Sequence, residues 1–157
     1  MELNQQVANF TLQTDEDNPA SLSDFAGKPV ILFFYPKADT PGCTIEACGF
    51  RDTFKKLQAA GAVVLGISRD TPKAQAKFRA KYELPYTLLA DVDEKLCNQF
   101  GVLKEKNMYG KKVWGIERTT FLIGPDQTLL HVFPKVTPEG HAEEVLALIK
   151  EWNKTHK

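Results

Sequence analysis

The chain has 157 residues and a mass of 17.6 kDa, the size of one domain around one core, so residues 1–157 are expected to form a single domain. Its 43% hydrophobic and 25% charged residues match ordinary globular domains and exclude a disordered chain. Twenty Lys plus Arg balance twenty Asp plus Glu, so no global basic field draws in nucleic acid or an anionic membrane.

Val30 to Tyr35 is an unbroken apolar run stopped by Pro36, and Ala62 to Ile67 is a second, stopped by Ser68-Arg69-Asp70. Such runs suit central strands buried on both faces, and neither approaches the ~20 apolar residues of a bilayer-spanning helix. Between them Cys43, Ala47, Phe50, Phe54 and Leu57 recur at helical spacing, with Gly61 as the stop. A second helix is expected from Thr71-Pro72 to about Tyr82, capped by Asp70 or Thr71, followed by a short strand from Tyr86 to Ala90. Asp93 to Phe100 reads as a short helix ended by Gly101, and Lys104 to Lys112 as a basic solvated loop. Arg118 to Ile123 and Leu129 to Phe133 read as an antiparallel hairpin. Thr137-Pro138-Glu139 is expected to open a last helix with Val145, Leu146, Ile149 and Trp152 on one face. This order predicts an α/β fold, a three-layer sandwich with a central mixed sheet flanked by helices.

Three cysteines, Cys43, Cys48 and Cys97, are too few and too odd in number for a disulfide framework. The first six residues carry neither a basic start nor an apolar stretch, which sets the expectation of a cytoplasmic location and of thiols that are structural, metal-binding or reactive. Cys43 follows Thr40-Pro41-Gly42 where the first buried strand turns into its helix. The unpaired amides and positive dipole end of a helix favour a thiolate, the nucleophilic form of cysteine, whereas a cysteine without such a setting is a small buried hydrophobe.

The segment Phe33-Phe34-Tyr35-Pro36-Lys37-Ala38-Asp39-Thr40-Pro41-Gly42-Cys43-Thr44-Ile45-Glu46-Ala47-Cys48 resembles the active-site segment of peroxiredoxins, most closely the peroxiredoxin Q or bacterioferritin comigratory protein branch. Pro36, Thr40 and Cys43 match the family's Pro-x-x-x-Thr-x-x-Cys signature, and Gly66 to Asp70 and Arg118 to Ile123 are further matches. The resemblance implies a thioredoxin-like fold and a thiol peroxidase acting on hydrogen peroxide and organic hydroperoxides, without cofactor or metal. Its electrons would come from thioredoxin or a glutaredoxin-like dithiol reductant. It implies Cys43 as the peroxidatic cysteine and Cys48 as the resolving cysteine of an intramolecular disulfide. Thr40 would bond thiolate and peroxide, or simply cap the helix. Arg118 would favour the thiolate, and Glu46 would orient Arg118 or serve only as an acidic residue in a helix first turn. Pro36 would shield the thiolate or merely end the strand, and Gly42 supports the motif. Cys97 has no counterpart in the pattern and is expected to pack on a helix face. Relatives of this branch imply a monomer, and the absence of a Gly-Gly-Leu-Gly segment and a Tyr-Phe tail implies comparative resistance to overoxidation.

Other chemistries fit less well. The cysteines are five residues apart and His131, His141 and His156 form no paired cluster, against a zinc module; Cys-x-x-Cys is absent, against a dithiol oxidoreductase. A papain-like hydrolase needs a histidine base beside Cys43, for which no motif speaks. The alternative from another class is a redox-responsive binding protein that uses Cys43 and Cys48 as a peroxide sensor without turnover. Lys104, Lys106, Lys111 and Lys112 offer a basic surface for an acidic reductant, and Met108, Tyr109 and Trp114 either line the mouth of the site or pack locally.

Overall fold

The computed structural model describes residues 2–155, without the side chains of Lys106 and Met108. Two antiparallel strands, β1 (Thr11–Thr14) and β2 (Pro19–Ser21), lead through a 3-10 turn at Leu22–Phe25 to β3 (Val30–Phe34). Then follow α1 (Pro41–Ala59), β4 (Val63–Ser68), α2 (Pro72–Tyr82), β5 (Thr87–Ala90) and α3 (Lys95–Phe100). The chain continues through β6 (Leu103–Met108), β7 (Lys111–Ile116), β8 (Thr119–Ile123), β9 (Leu129–Phe133) and α4 (His141–Thr155). A seven-stranded sheet runs β2-β1-β5-β4-β3-β8-β9, parallel across β3, β4 and β5 and antiparallel elsewhere. This is the expected α/β sandwich with a mixed sheet.

The central strand β3 is buried at every position because both its faces are covered. Strand periodicity divides its side chains. Ile31, Phe33 and Tyr35 join Phe50 of α1, Phe78 of α2 and Val145 and Ile149 of α4 on one face. Val30, Leu32 and Phe34 join Leu96, Cys97 and Phe100 of α3 and Leu22 on the other. Gly66 stands opposite Phe33, and a Cβ there would lie 2.8 Å from the Phe33 ring and from Leu88. The missing side chain gives Phe33 room to stack on Phe50 at 4.6 Å, which seats α1 on the sheet.

Three sequence expectations are corrected, and one hairpin goes beyond them. The hairpin of β1 and β2 was not anticipated, since its short strands carry no apolar run. Lys104 to Lys112 is not a loop but most of a second, two-stranded sheet, with Leu103 opposite Ile116 and Met108 opposite Lys111. Tyr109 and Gly110, both at positive φ, make the tight turn, and the strands escape a period-two reading because their described side chains are mostly exposed. Helix α4 starts at His141 rather than Thr137, because Gly140 adopts φ +77° and breaks any earlier helical path. Helix α3 starts at Lys95, after Glu94 at φ 61°, with the Asp91 carboxylate accepting the Leu96 and Cys97 amides at 3.0 and 2.7 Å. Thr71 caps α2 as expected, its hydroxyl accepting the Ala74 amide.

Candidate active site

The loop 36–40 carries the chain from β3 to α1 and is pinned from two sides. Asp70, at the end of β4, accepts the Ala38 amide at 2.8 Å and the Ser68 hydroxyl at 2.6 Å on one carboxylate oxygen. Asp39 sits at φ +62° and accepts Lys81 Nζ at 2.8 Å and the Tyr82 hydroxyl at 2.7 Å, both from the last turn of α2. Thr40 then stands in the N-cap position of α1 and Pro41 opens its first turn. The Thr40 hydroxyl makes neither a capping bond nor a bond to sulfur; it donates to the Lys37 carbonyl at 2.8 Å. Cys43 is therefore the third residue of the helix, among amides that have no partner within it. Cys43 is 1% exposed.

Arg118, between β7 and β8, reaches across to that turn. Nη2 donates to Cys43 Sγ at 3.5 Å and Nη1 to Glu46 Oε1 at 2.8 Å. Burial works against the guanidinium charge, but Glu46 and Cys43 outweigh it and keep Arg118 protonated. Glu46 is itself buried, and its other oxygen, Oε2, has no hydrogen-bond partner among the described residues. Burial raises its pKa to about 7, with Arg118 pulling the other way. Gly42 lies beside the same cation: a Cβ there would stand 3.0 Å from Arg118 Nη2 and 3.6 Å from Pro138, in the segment before α4. The structure thus brings Cys43, Glu46, Arg118 and Gly42 together. Pro36 is half-buried and lines an open depression with Arg69, Asp70 and Glu94.

Cys48 lies on the same helix, half-buried and away from the stripe of Cys43, Ala47 and Phe50. Burial raises its pKa, Arg51 opposes that and Asp52 adds to it, so the thiol is held protonated. Cys43 and Cys48 are both free. Residues five apart on an α-helix are about 8 to 9 Å apart at Cα, beyond the ~7 Å a disulfide spans. Cys97 is fully buried in α3, and burial, reinforced by Asp91, pushes its thiol pKa far up. Among the described residues no group of three His, Cys, Asp or Glu is placed to hold a metal. The Asp39 and Asp70 ties were not legible in sequence, since nothing in an aspartate's local context reports a partner some 30 to 40 positions away.

The AhpC/TSA family model matches residues 3–132. The bcp protein of Coxiella burnetii, provisionally named as a peroxiredoxin, is 56% identical over 93% of this chain and 97% of its own. Peroxiredoxin Bcp of Escherichia coli K12 is 45% identical over 90% and 91%. Among solved structures, the bacterioferritin comigratory protein of Xanthomonas campestris, studied for alkyl peroxide reduction in trapped intermediate and ligand complexes, superposes with a TM-score of 0.87. It shares 42% identity and covers 90% of each chain. A cysteine-to-serine mutant of Xylella fastidiosa PrxQ superposes with a TM-score of 0.93 at 38% identity and 98% coverage of both. The fold is thioredoxin-like, and the chain belongs to the AhpC/TSA family as a peroxiredoxin of the Bcp branch, a thiol peroxidase.

Proposed function

We propose that Cys43 is the peroxidatic nucleophile, acting on hydrogen peroxide and organic hydroperoxides. The observation that carries this is the Arg118 guanidinium shared between the Cys43 sulfur and the Glu46 carboxylate at the start of α1. The Cys43 thiolate attacks the distal peroxide oxygen, the O–O bond breaks, and the sulfur becomes a sulfenic acid while the other oxygen leaves as hydroxide or alkoxide and takes a proton. Arg118 favours the thiolate and meets the charge growing on the leaving oxygen. Glu46 fixes the plane of that guanidinium. The Thr40 proton is engaged by the Lys37 carbonyl, so the hydroxyl oxygen is free to accept the O–H of an incoming hydroperoxide.

Cys48 then attacks the Cys43 sulfur, an S–S bond forms, the S–O bond breaks and the hydroxide departs as water. The helical spacing of the two residues requires the first turns of α1 to unwind, and unwinding also relieves the burial that keeps Cys48 protonated. A thioredoxin or glutaredoxin-like dithiol takes over the disulfide and restores both thiols, with no resident cofactor. The protein works as a monomer in the cytoplasm. The test is steady-state peroxide consumption with thioredoxin and its reductase. Cys43→Ser is expected to be inactive, and Cys48→Ser to complete one fast turnover and stall. A Cys43→Ser variant that still consumes peroxide catalytically would remove Cys43 as nucleophile, and a wild type that oxidises once without turning over would make the pair a sensor.

A further inference from the structure

Tyr86, at the entrance to β5, is 3% exposed and donates its hydroxyl to the Ala47 carbonyl at 2.6 Å. Ala47 lies between Cys43 and Cys48, within the turns that must unwind for them to meet. The Tyr86 ring is held independently, edge-on to Phe33 at 5.7 Å and tilted against Phe54 at 6.2 Å, both of which lie outside the loop and first turns of α1. Burial raises the pKa of the hydroxyl, so it remains a donor at physiological pH. When Ala47 leaves the helix, the hydroxyl stays where its ring holds it, buried and deprived of its acceptor. A buried polar group without a partner is costly, so the bond favours the wound helix over the unwound one. Two other polar ties nearby differ in kind: Arg118 belongs to the peroxide site, and Asp39, in the loop before the helix, is paired at the surface.

We propose that Tyr86 is a positioning residue for the second half of the cycle, whose hydroxyl holds the Ala47 carbonyl and thereby slows the attack of Cys48 on the Cys43 sulfenic acid. This rests on the reading of Cys48 as the resolving cysteine. The delay leaves the sulfenic acid open to a second hydroperoxide, which transfers one oxygen to the sulfur to give a sulfinic acid and leaves as water or alcohol. The latch therefore favours overoxidation by lengthening the life of the sulfenic acid.

Tyr86→Phe keeps the ring and removes only the bond. After one equivalent of peroxide, rapid quenching, alkylation and mass mapping give the rate of Cys43–Cys48 disulfide formation. The variant is expected to form it about tenfold faster, as one buried hydrogen bond warrants. The fraction diverted to sulfinic acid per turnover is expected to fall by the same factor, while the rate of the first peroxide reaction stays within twofold. Asn153→Ala is the control: Asn153 Nδ2 donates to the Ala60 carbonyl at the far end of α1, so its loss lowers thermal stability without touching the turns that unwind. Equal disulfide rates in Tyr86→Phe and wild type would overturn the latch alone. Acceleration in both variants would also overturn it, showing general loosening. A wild type that forms no Cys43–Cys48 disulfide would overturn the resolving role and the latch together.

Discussion

Gly42 lies so close under Arg118 that a Cβ at this position would stand 3.0 Å from Nη2, the nitrogen that faces the Cys43 sulfur. The backbone there is ordinary helix, so alanine would be accepted by the fold and would gain about 0.5–1 kcal/mol of helix preference over glycine. The methyl group would nevertheless push the cation off the sulfur. Gly42→Ala is expected to keep or slightly raise the melting temperature while slowing the second-order reaction with peroxide at least tenfold. Unchanged peroxide kinetics in a well-folded Gly42→Ala would show that the position of Arg118 does not govern the attack.

Glu46 makes stability depend on pH in a direction opposite to that of most carboxylates. Its pKa rises from 4.5 to about 7 in the fold, chiefly by burial, so the folded state binds this proton more tightly than the unfolded state. Wild type is therefore expected to lose stability, relative to Glu46→Gln, as pH climbs from 4.5 to 7, by roughly 3 kcal/mol in all. The difference should be flat on either side of that window. Urea unfolding of both proteins, at pH values below, within and above the window, measures it.

His141 works the other way. Its Nδ1 lies 3.0 Å from the Glu144 carboxylate and its Nε2 2.7 Å from the Thr120 hydroxyl, while its ring meets Phe50 edge-on at 5.7 Å. An ionised Glu144 only accepts, so the proton resides on Nδ1 and Thr120 donates to Nε2. Burial lowers the pKa, Glu144 opposes this, and Arg118 adds to it. A histidine depressed in the fold contributes stability above its ordinary value near 6.5 that is lost as pH falls through the folded value. His141→Gln is expected to be about 1–3 kcal/mol less stable at mildly alkaline pH, and the gap should narrow on acidification. A gap that is constant with pH would mean that folding leaves the His141 pKa unshifted.

The strands β3 and β4, the helix α1 and the Cys43 motif were legible because each is a local pattern: a continuous apolar run, a helical stripe, a helix start marked by Thr40 and Pro41. The hairpin of β6 and β7 was not, since strands whose described side chains are mostly exposed write no apolar alternation into the sequence. Arg118 and Glu46 were found only through the resemblance, because their meeting spans 72 positions and arises from β8 lying beside β3. Thr40 shows the limit of motif reading. Its place in the helix start was legible, but the partner of its hydroxyl, the Lys37 carbonyl, is set by the turn of the loop 36–40. Tyr86 left no signal at all, since a tyrosine before a strand looks like part of the core until its hydroxyl is seen on Ala47.

If Cys43 reacts in a wound helix and Cys48 resolves it only after residues 40–50 unwind, as proposed above, the two redox forms must differ in the protection of this segment. Amide hydrogen exchange on the reduced protein and on the oxidised one, with the Cys43–Cys48 disulfide established by mass mapping, tests it most directly. Strong protection of Thr44 to Phe50 is expected in the reduced form and loss of most of it in the oxidised form, with the amides of β3 and β4 unchanged. Equal protection of Thr44 to Phe50 in both forms would contradict it.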